Sequence, residues 1–457
     1  MISKIFNWGE IKDSAMLHMI YYIFIFNSII YFFSFNTPTT CWPHFQSCLD
    51  YFNLLPLPFS YDLNYFLVII YTLLIFGIFY MYRKEFLKAL ILLSIVFLVR
   101  FYFTFFGDYN SGNFNYYDVY MMLIYLFLPK KELFLRVGFI YFYFLASTIK
   151  LDSGFISAKY FTTLTLGAPF FNDVAIVLFS NLVIIIQMVG VWFIFSNNKK
   201  FRTLAYVYMT IFHFYSGLIV GYRYIITSIP FLMVLFNERI FEKYDIFKNL
   251  QINKRGNLFA LFFLFILTCF QLLPYIISGN HKITLESNNY GFYMFEANHQ
   301  CKSTLTQNGK NIKAEYSNDA RNRCDPYAYL FKYKNLCISN SEKINWELIS
   351  SINGGPFYKI VDEPDMCSLS YKPFAKNIWI KDEVKAKKVG YPKYNYYLDN
   401  YIPSKNKEKF ISKELIIKDN FLQKITEDQM IKIQYFYWIL WVLTLVFIIS
   451  KLFKRDR

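Results

Sequence analysis

Long apolar runs alternate along this chain with short charged interruptions. The runs fall at 15–35, 63–82, 86–106, 117–129, 134–150, 173–196, 202–220, 222–237, 257–278 and 434–452. A helix that crosses a bilayer needs about 20 apolar residues, and somewhat fewer inside a bundle. The pattern therefore predicts an all-α polytopic membrane helix bundle of about ten transmembrane helices. Between 279 and 433 the apolar runs give way to Lys, Asn, Asp, Glu and Ser. That stretch is long enough for one compact domain. Short runs at Phe357–Val361, Ser368–Tyr371, Ile378–Ile380 and Phe410–Ile417 read as strands. A helix is expected near Ser341–Ile352, with Ser341 as its cap, and Gly354, Gly355 and Pro356 mark a turn. The expected organisation is a transmembrane bundle over 1–278 and a mixed, β-rich extracytoplasmic domain over 279–433. A final transmembrane helix and a basic tail occupy 434–457.

Composition supports a membrane protein. Of 457 residues, 55% are hydrophobic, 22% aromatic and 18% charged. Soluble domains carry about a quarter charged residues, so this composition excludes disorder and fits poorly with a single soluble domain. The net charge of +16 would suit nucleic acid if it lay on one face. Instead the bases sort by loop. One set of loops holds Arg83, Lys84 and Lys88; Lys130, Lys131 and Arg136; Lys199, Lys200 and Arg202; and Arg239, Lys243, Lys248, Lys254 and Arg255. The tail adds Lys451, Lys454, Arg455 and Arg457, whereas 36–61 and 107–118 contain no Lys or Arg. Basic loops stay cytoplasmic, so both termini are expected in the cytoplasm and 279–433 outside, with the lipid bilayer as the first partner. The first apolar run is too long for a cleavable signal peptide and lacks a small-residue cleavage site.

The cysteines segregate in the same way. Cys41, Cys48, Cys301, Cys324, Cys337 and Cys367 fall outside on this topology, and Cys269 falls within a run. An even external set points to disulfides in an oxidising compartment. Cys41 and Cys48 are near enough to pair; connectivity among the other four is open. No C-x-x-C spacing and no close histidine pair marks a metal site.

Ionisable groups at membrane depth are costly and therefore candidates for function. They are Arg100, Asp118, Lys150, Asp152, His213 and Arg223, with Asn27, Asn181, Gln187 and Gln271 as uncharged companions. Each also has a structural reading. Lys150 at a helix end can snorkel to the headgroups. Arg100 can pair with Asp118 or Asp108, and His213 can donate one bond across the bundle. The loop Cys41-Trp42-Pro43-His44-Phe45-Gln46-Ser47-Cys48 reads as a rigid external feature that plugs the bundle or contacts a partner, plugging being preferred. Nucleotide-binding, metalloprotease and serine-hydrolase signatures are absent.

The segment Tyr141-Phe142-Tyr143-Phe144-Leu145-Ala146-Ser147-Thr148-Ile149-Lys150-Leu151-Asp152 resembles the central motif of the HTTM superfamily, which includes the vitamin K-dependent gamma-carboxylases. Ala146 and Lys150-Leu151-Asp152 match that motif. Ser147 stands in place of its Gly and Phe155 in place of its Trp. Phe212-His213 resembles the family's Phe-His helix, and the likeness covers roughly 15–240. The resemblance implies an active-site role for Lys150, with His213 as a second catalytic candidate. A lysine at a partly buried interface can act as a base. The family's upstream catalytic histidine has no counterpart, since no His lies between His44 and His213. No cofactor is specified by the sequence.

The resemblance implies a bacterial inner-membrane protein that assists maturation, modification or assembly of an exported peptide or protein at the outer face. The alternative is a non-catalytic membrane scaffold or complex subunit, in which Lys150 is sealed by packing or paired. A polyprenyl-phosphate glycosyltransferase ranks third. It needs acidic residues in the first external loop, where only Asp50 and Asp62 stand.

Overall fold

A computed structural model describes residues 8–33, 63–104, 113–164, 168–172, 174–219, 223–237, 255–277, 279–293, 297–317, 324–339, 342–392, 411–413 and 419–453. Cys41, Cys48, His44, Asp50, Asp62, Asp108 and Ser341 lie outside the described residues.

The helices of the first part are α1 (Trp8–Lys12), α2 (Ala15–Phe33), α3 (Leu63–Tyr82), α4 (Phe86–Tyr102), α5 (Asn113–Phe127) and α6 (Lys131–Ser147). Two short turns follow, α7 (Ser153–Ile156) and α8 (Lys159–Thr162). Then come α9 (Ala175–Met188), α10 (Lys199–Ile219), α11 (Arg223–Phe236), α12 (Arg255–Ile276) and α13 (His281–Thr284). After the sheet and its helix α14 (Pro326–Ser339), the chain ends in α15 (Phe421–Asp428) and α16 (Met430–Phe453).

Helix α6 is the centre of the bundle. Beyond Arg136 it is apolar on every side, as a helix enclosed by other helices must be. Its apolar stretch is 94% buried, whereas that of α16 is 17% buried. It packs on α2, α5, α9, α11 and α12. Helices α3 and α16 instead turn large apolar residues outward, among them Tyr65, Val68, Ile69, Ile75, Leu443 and Val446. Contiguous exposed apolar surface of this kind suits lipid rather than water.

The expectation of ten spans is not met. Among the described residues, four helices are long and apolar enough to cross a membrane: Ala15–Phe33, Tyr65–Tyr82, Lys131–Lys150 and Met430–Ser450. The helices Ala175–Met188, Ile225–Phe236 and Leu261–Ile276 are apolar but shorter. The hydropathy runs joined unlike pieces. The run 173–196 is an α-helix that changes to a 3-10 turn at Gly190–Phe195, and α10 opens with Lys199, Lys200 and Arg202. A six-stranded sheet forms much of the second part, within the stretch 279–433 where strands were expected.

Several bases that sorted by loop are buried as structural plugs. The Lys131 ammonium donates to the carbonyls of Tyr125, Leu126 and Leu128 at the end of α5. Arg136 Nε donates to Leu235 O at 2.7 Å, near the end of α11. Arg202 donates to Ser196 O and Asn197 O, both at 2.9 Å. Helix C-termini leave carbonyls without intrahelical partners, and cations satisfy them well.

The sheet runs in the order β2-β1-β3-β4-β5-β6, antiparallel throughout. Its strands are β1 (His299–Gln307), β2 (Lys310–Ser317), β3 (Asn345–Ile352), β4 (Phe357–Glu363), β5 (Lys387–Pro392) and β6 (Ile411–Ser412). The β1–β2 turn is Asn308-Gly309 with φ of 51° and 75°, the pair that a two-residue hairpin with the sheet's own twist requires. One face buries Leu305, Trp346 and Leu348 against Tyr333 of α14. Disulfide Cys301–Cys324 ties β1 to the residues just before α14, and Cys337–Cys367 ties the last turn of α14 to the 3-10 turn after β4.

Residues 345–352 form a strand, not the expected helix. Trp346 and Leu348 face the α14 core, while Ile349 joins Phe357, Tyr316 and Ile411 on the other face. Burial on both faces masks the period-two pattern that identifies a strand. Ser368–Tyr371 and Ile378–Ile380 are not strands either. Trp379 and Ile380 enter the core from a turn closed by Ile380 N to Asn377 O.

Candidate functional site

The Lys150-Leu151-Asp152 segment lies where α6 ends. Its helix closes in a 3-10 turn, Thr148–Lys150, and then Asp152 opens α7. A helix end exposes carbonyls that need donors. Here the donors come from several elements. Trp441 Nε1 of α16 reaches Phe144 O at 3.3 Å, and Thr148 Oγ1 reaches Leu145 O at 2.8 Å. Tyr275 OH of α12 donates to Thr148 O at 2.7 Å, and Gln434 Nε2 of α16 to Leu151 O at 3.0 Å. Gln271 Nε2 meets Thr148 Oγ1 at 3.0 Å, while its Oε1 accepts from Phe292 N at 2.7 Å.

Lys150 belongs to this set. Its half-buried ammonium reaches Ala146 O, one turn back, at 3.4 Å and lies 5.6 Å from the Phe155 ring centroid. Asp152 Oδ1 accepts from Gly154 N at 2.8 Å and Phe155 N at 3.2 Å, the geometry of an N-cap. Its other oxygen faces the buried Lys282 ammonium at 3.8 Å, and that ammonium donates to Ile149 O at 2.7 Å.

Residues 153–163 are held in the same manner. Asn181 Nδ2 of α9 donates to Ile156 O at 2.8 Å, and Tyr437 OH of α16 donates to Asn181 Oδ1 at 2.6 Å. Asn298, just before β1, donates to Tyr160 O at 2.8 Å and Thr163 Oγ1 at 2.7 Å. Lys159 pairs with Asp419 at 3.1 Å and with Glu427 of α15. Gly154 sits so close to the β3–β4 turn that a Cβ there would clash with Asn353 Nδ2. Asn353 cannot move aside freely, because its Oδ1 accepts from Asn298 N at 2.9 Å. The segment 148–163 is thus the joint between bundle and sheet.

The other polar residues fall elsewhere. Arg100 and Asp118 form an ion pair that is 1% exposed on both sides, between α4 and α5. Asn27 Nδ2 donates to Asp118 Oδ1 at 2.8 Å, Arg100 donates to Ser28 Oγ at 3.1 Å, and the guanidinium lies 4.9 Å from the Tyr31 ring centroid. His213 is fully buried on α10 and bonded through Nε2 to Tyr143 OH of α6. Tyr143 precedes Lys150 by seven residues, about 10 Å along a helix axis. Arg223 begins α11.

The residues that complete the joint include Lys282, Tyr275, Gln434 and Asn298, which sequence reasoning had not singled out. Lys282 offered one signal: it is the first charged residue after a long apolar run. Beside it His281 packs against the rings of Tyr275 and Tyr293, with centroids 4.4 Å and 6.0 Å away. Burial, and next the Lys282 charge, hold the His281 imidazole well below its ordinary range.

No protein-family model, curated protein or solved structure matches the chain.

Proposed function

We propose that this protein is a non-catalytic membrane scaffold. The bundle holds the disulfide-stapled sheet unit in a fixed position at the membrane, where it meets an exported peptide, an exported protein or another membrane subunit. One observation carries the reading. The groups of Lys150-Leu151-Asp152 that would serve chemistry are engaged in local structure: Lys150 on Ala146 O, and Asp152 on the α7 amides and Lys282. A general base needs its reactive atom within reach of substrate, and these contacts direct both groups toward the protein's own backbone. The HTTM resemblance enters this proposal as a membrane framework over 15–240, without carboxylase chemistry.

The test compares exported proteins by mass spectrometry from cells that make the wild type, Lys150→Met or no protein. A scaffold predicts that Lys150→Met, made at normal level, gives the wild-type pattern. A Lys150 enzyme predicts the pattern of the deletion.

A further inference from the structure

Four polar atoms on the residues of the Arg100–Asp118 pair, on Asn27 bonded to it and on neighbouring turns of its helices meet no protein partner. They are Arg100 Nε, Asn27 Oδ1, Thr104 Oγ1 and Asn115 Oδ1, on side chains that are 1%, 3%, 2% and 2% exposed. Buried polar atoms in native proteins are nearly always satisfied, so four around one ion pair is a marked concentration. Helical spacing gathers them. Thr104 lies four residues after Arg100 on the α4 side, and Asn115 three residues before Asp118 on α5. Helices α4 and α5 are in contact, and both residues lie between Arg100 and Asp118 in sequence. Asn27 is already bonded to Asp118, which brings α2 to the same place.

We propose that Asn27, Arg100, Thr104 and Asn115 form a binding site for one or more hydroxyl groups inside the bundle. The donor set selects that chemistry. Arg100 Nε can only donate; the two amide oxygens can only accept; the Thr104 hydroxyl does both. A guest must therefore accept from arginine and donate to an amide oxygen. A hydroxyl does this, whereas a halide or carboxylate cannot donate and an ammonium cannot accept. A charged guest is further disfavoured because the Arg100–Asp118 pair is already neutral as a unit. Water and the glycerol hydroxyls of a lipid headgroup are two sources of the same chemistry. The inference does not depend on the scaffold reading.

The test uses the full chain in lipid nanodiscs. Thr104→Val deletes the hydroxyl at nearly constant volume, and Asn115→Leu replaces the whole carboxamide, its NH2 included, by an apolar side chain of similar shape. If the atoms hold a hydroxyl guest, each variant lowers Tm by about 2 °C and Thr104→Ser stays near wild type. If the atoms are buried without any guest, deleting them relieves a desolvation penalty, and an unchanged or higher Tm overturns the proposal. A cryo-EM map of the wild type gives an independent readout. Non-protein density within hydrogen-bond distance of Arg100 Nε supports the site; a protein oxygen in that place overturns it. Density that survives lipid exchange identifies water, and density lost on delipidation identifies a headgroup, and both are the proposed hydroxyl guest.

Discussion

The Lys282 ammonium lies 3.8 Å from Asp152 Oδ2 and donates to Ile149 O at 2.7 Å. Asp152 thus has a cation partner from the segment after α12. That one side chain links the start of the sheet unit to the end of the central helix. Lys282→Met removes a charge-assisted bond to a buried carbonyl, and leaves that carbonyl and carboxylate without the ammonium. The expected cost is about 2 kcal/mol, read as a fall in Tm and as faster proteolysis between residues 279 and 300. An unchanged Tm would show that the joint does not depend on this contact.

Gly154→Ala probes the same joint from the other side. The new Cβ would meet Asn353, which is fixed by Asn298. Overpacking a close contact of this kind costs about 1–3 kcal/mol. The Tm of Gly154→Ala should fall, and Asn353→Gly in the same chain should recover part of the loss.

Acid should loosen the joint. His281 is held neutral by burial, and next by Lys282, so its folded-state pKa lies below the unfolded value of 6.5. The unfolded chain then binds more protons as pH falls through that value, and stability is lost progressively below it. The expectation is a Tm that declines from about pH 6.5 downward, with a smaller decline in His281→Phe. Equal slopes in both proteins would assign the acid sensitivity to other groups.

Breaking the Arg100–Asp118 pair should be severe. Asp118→Leu leaves a buried guanidinium without its carboxylate, at a cost of about 3–5 kcal/mol. The double variant Arg100→Met with Asp118→Leu should recover much of this, because paired apolar replacement also removes the desolvation cost. A double-mutant cycle on thermal unfolding measures the coupling.

The two disulfides, one ending just before α14 and one starting in its last turn, close loops over sequence separations of 23 and 30 residues. Loss of either pair should destabilise the sheet unit by about 3 kcal/mol. Denaturation with and without reductant measures it.

How much of this was legible in the sequence depended on the kind of signal. The polar unit after 278 announced itself by composition, and Arg100 and Asp118 by their rarity in apolar runs. The number of spans was misread because hydropathy windows ran together short helices, such as α9 and the 3-10 turn after it. Asn308-Gly309 between two alternating runs carried a clear hairpin signal that went unused. Strand β3 was hidden by burial on both faces. The joint was the least legible part. It is built from backbone carbonyls and from side chains as far apart as Thr148 and Tyr275, or Leu151 and Gln434. No local pattern encodes which distant donor will meet a helix end.

The most direct test of the scaffold reading is the reactivity of the Lys150 amine. Competitive acetylation of the folded chain in nanodiscs, read lysine by lysine by mass spectrometry across pH, measures both its exposure and its basicity. A lysine held against Ala146 O and the Phe155 ring should react more slowly than the exposed Lys310 at every pH. Labelling of Lys150 as fast as Lys310 would reveal an accessible amine and contradict a purely structural role.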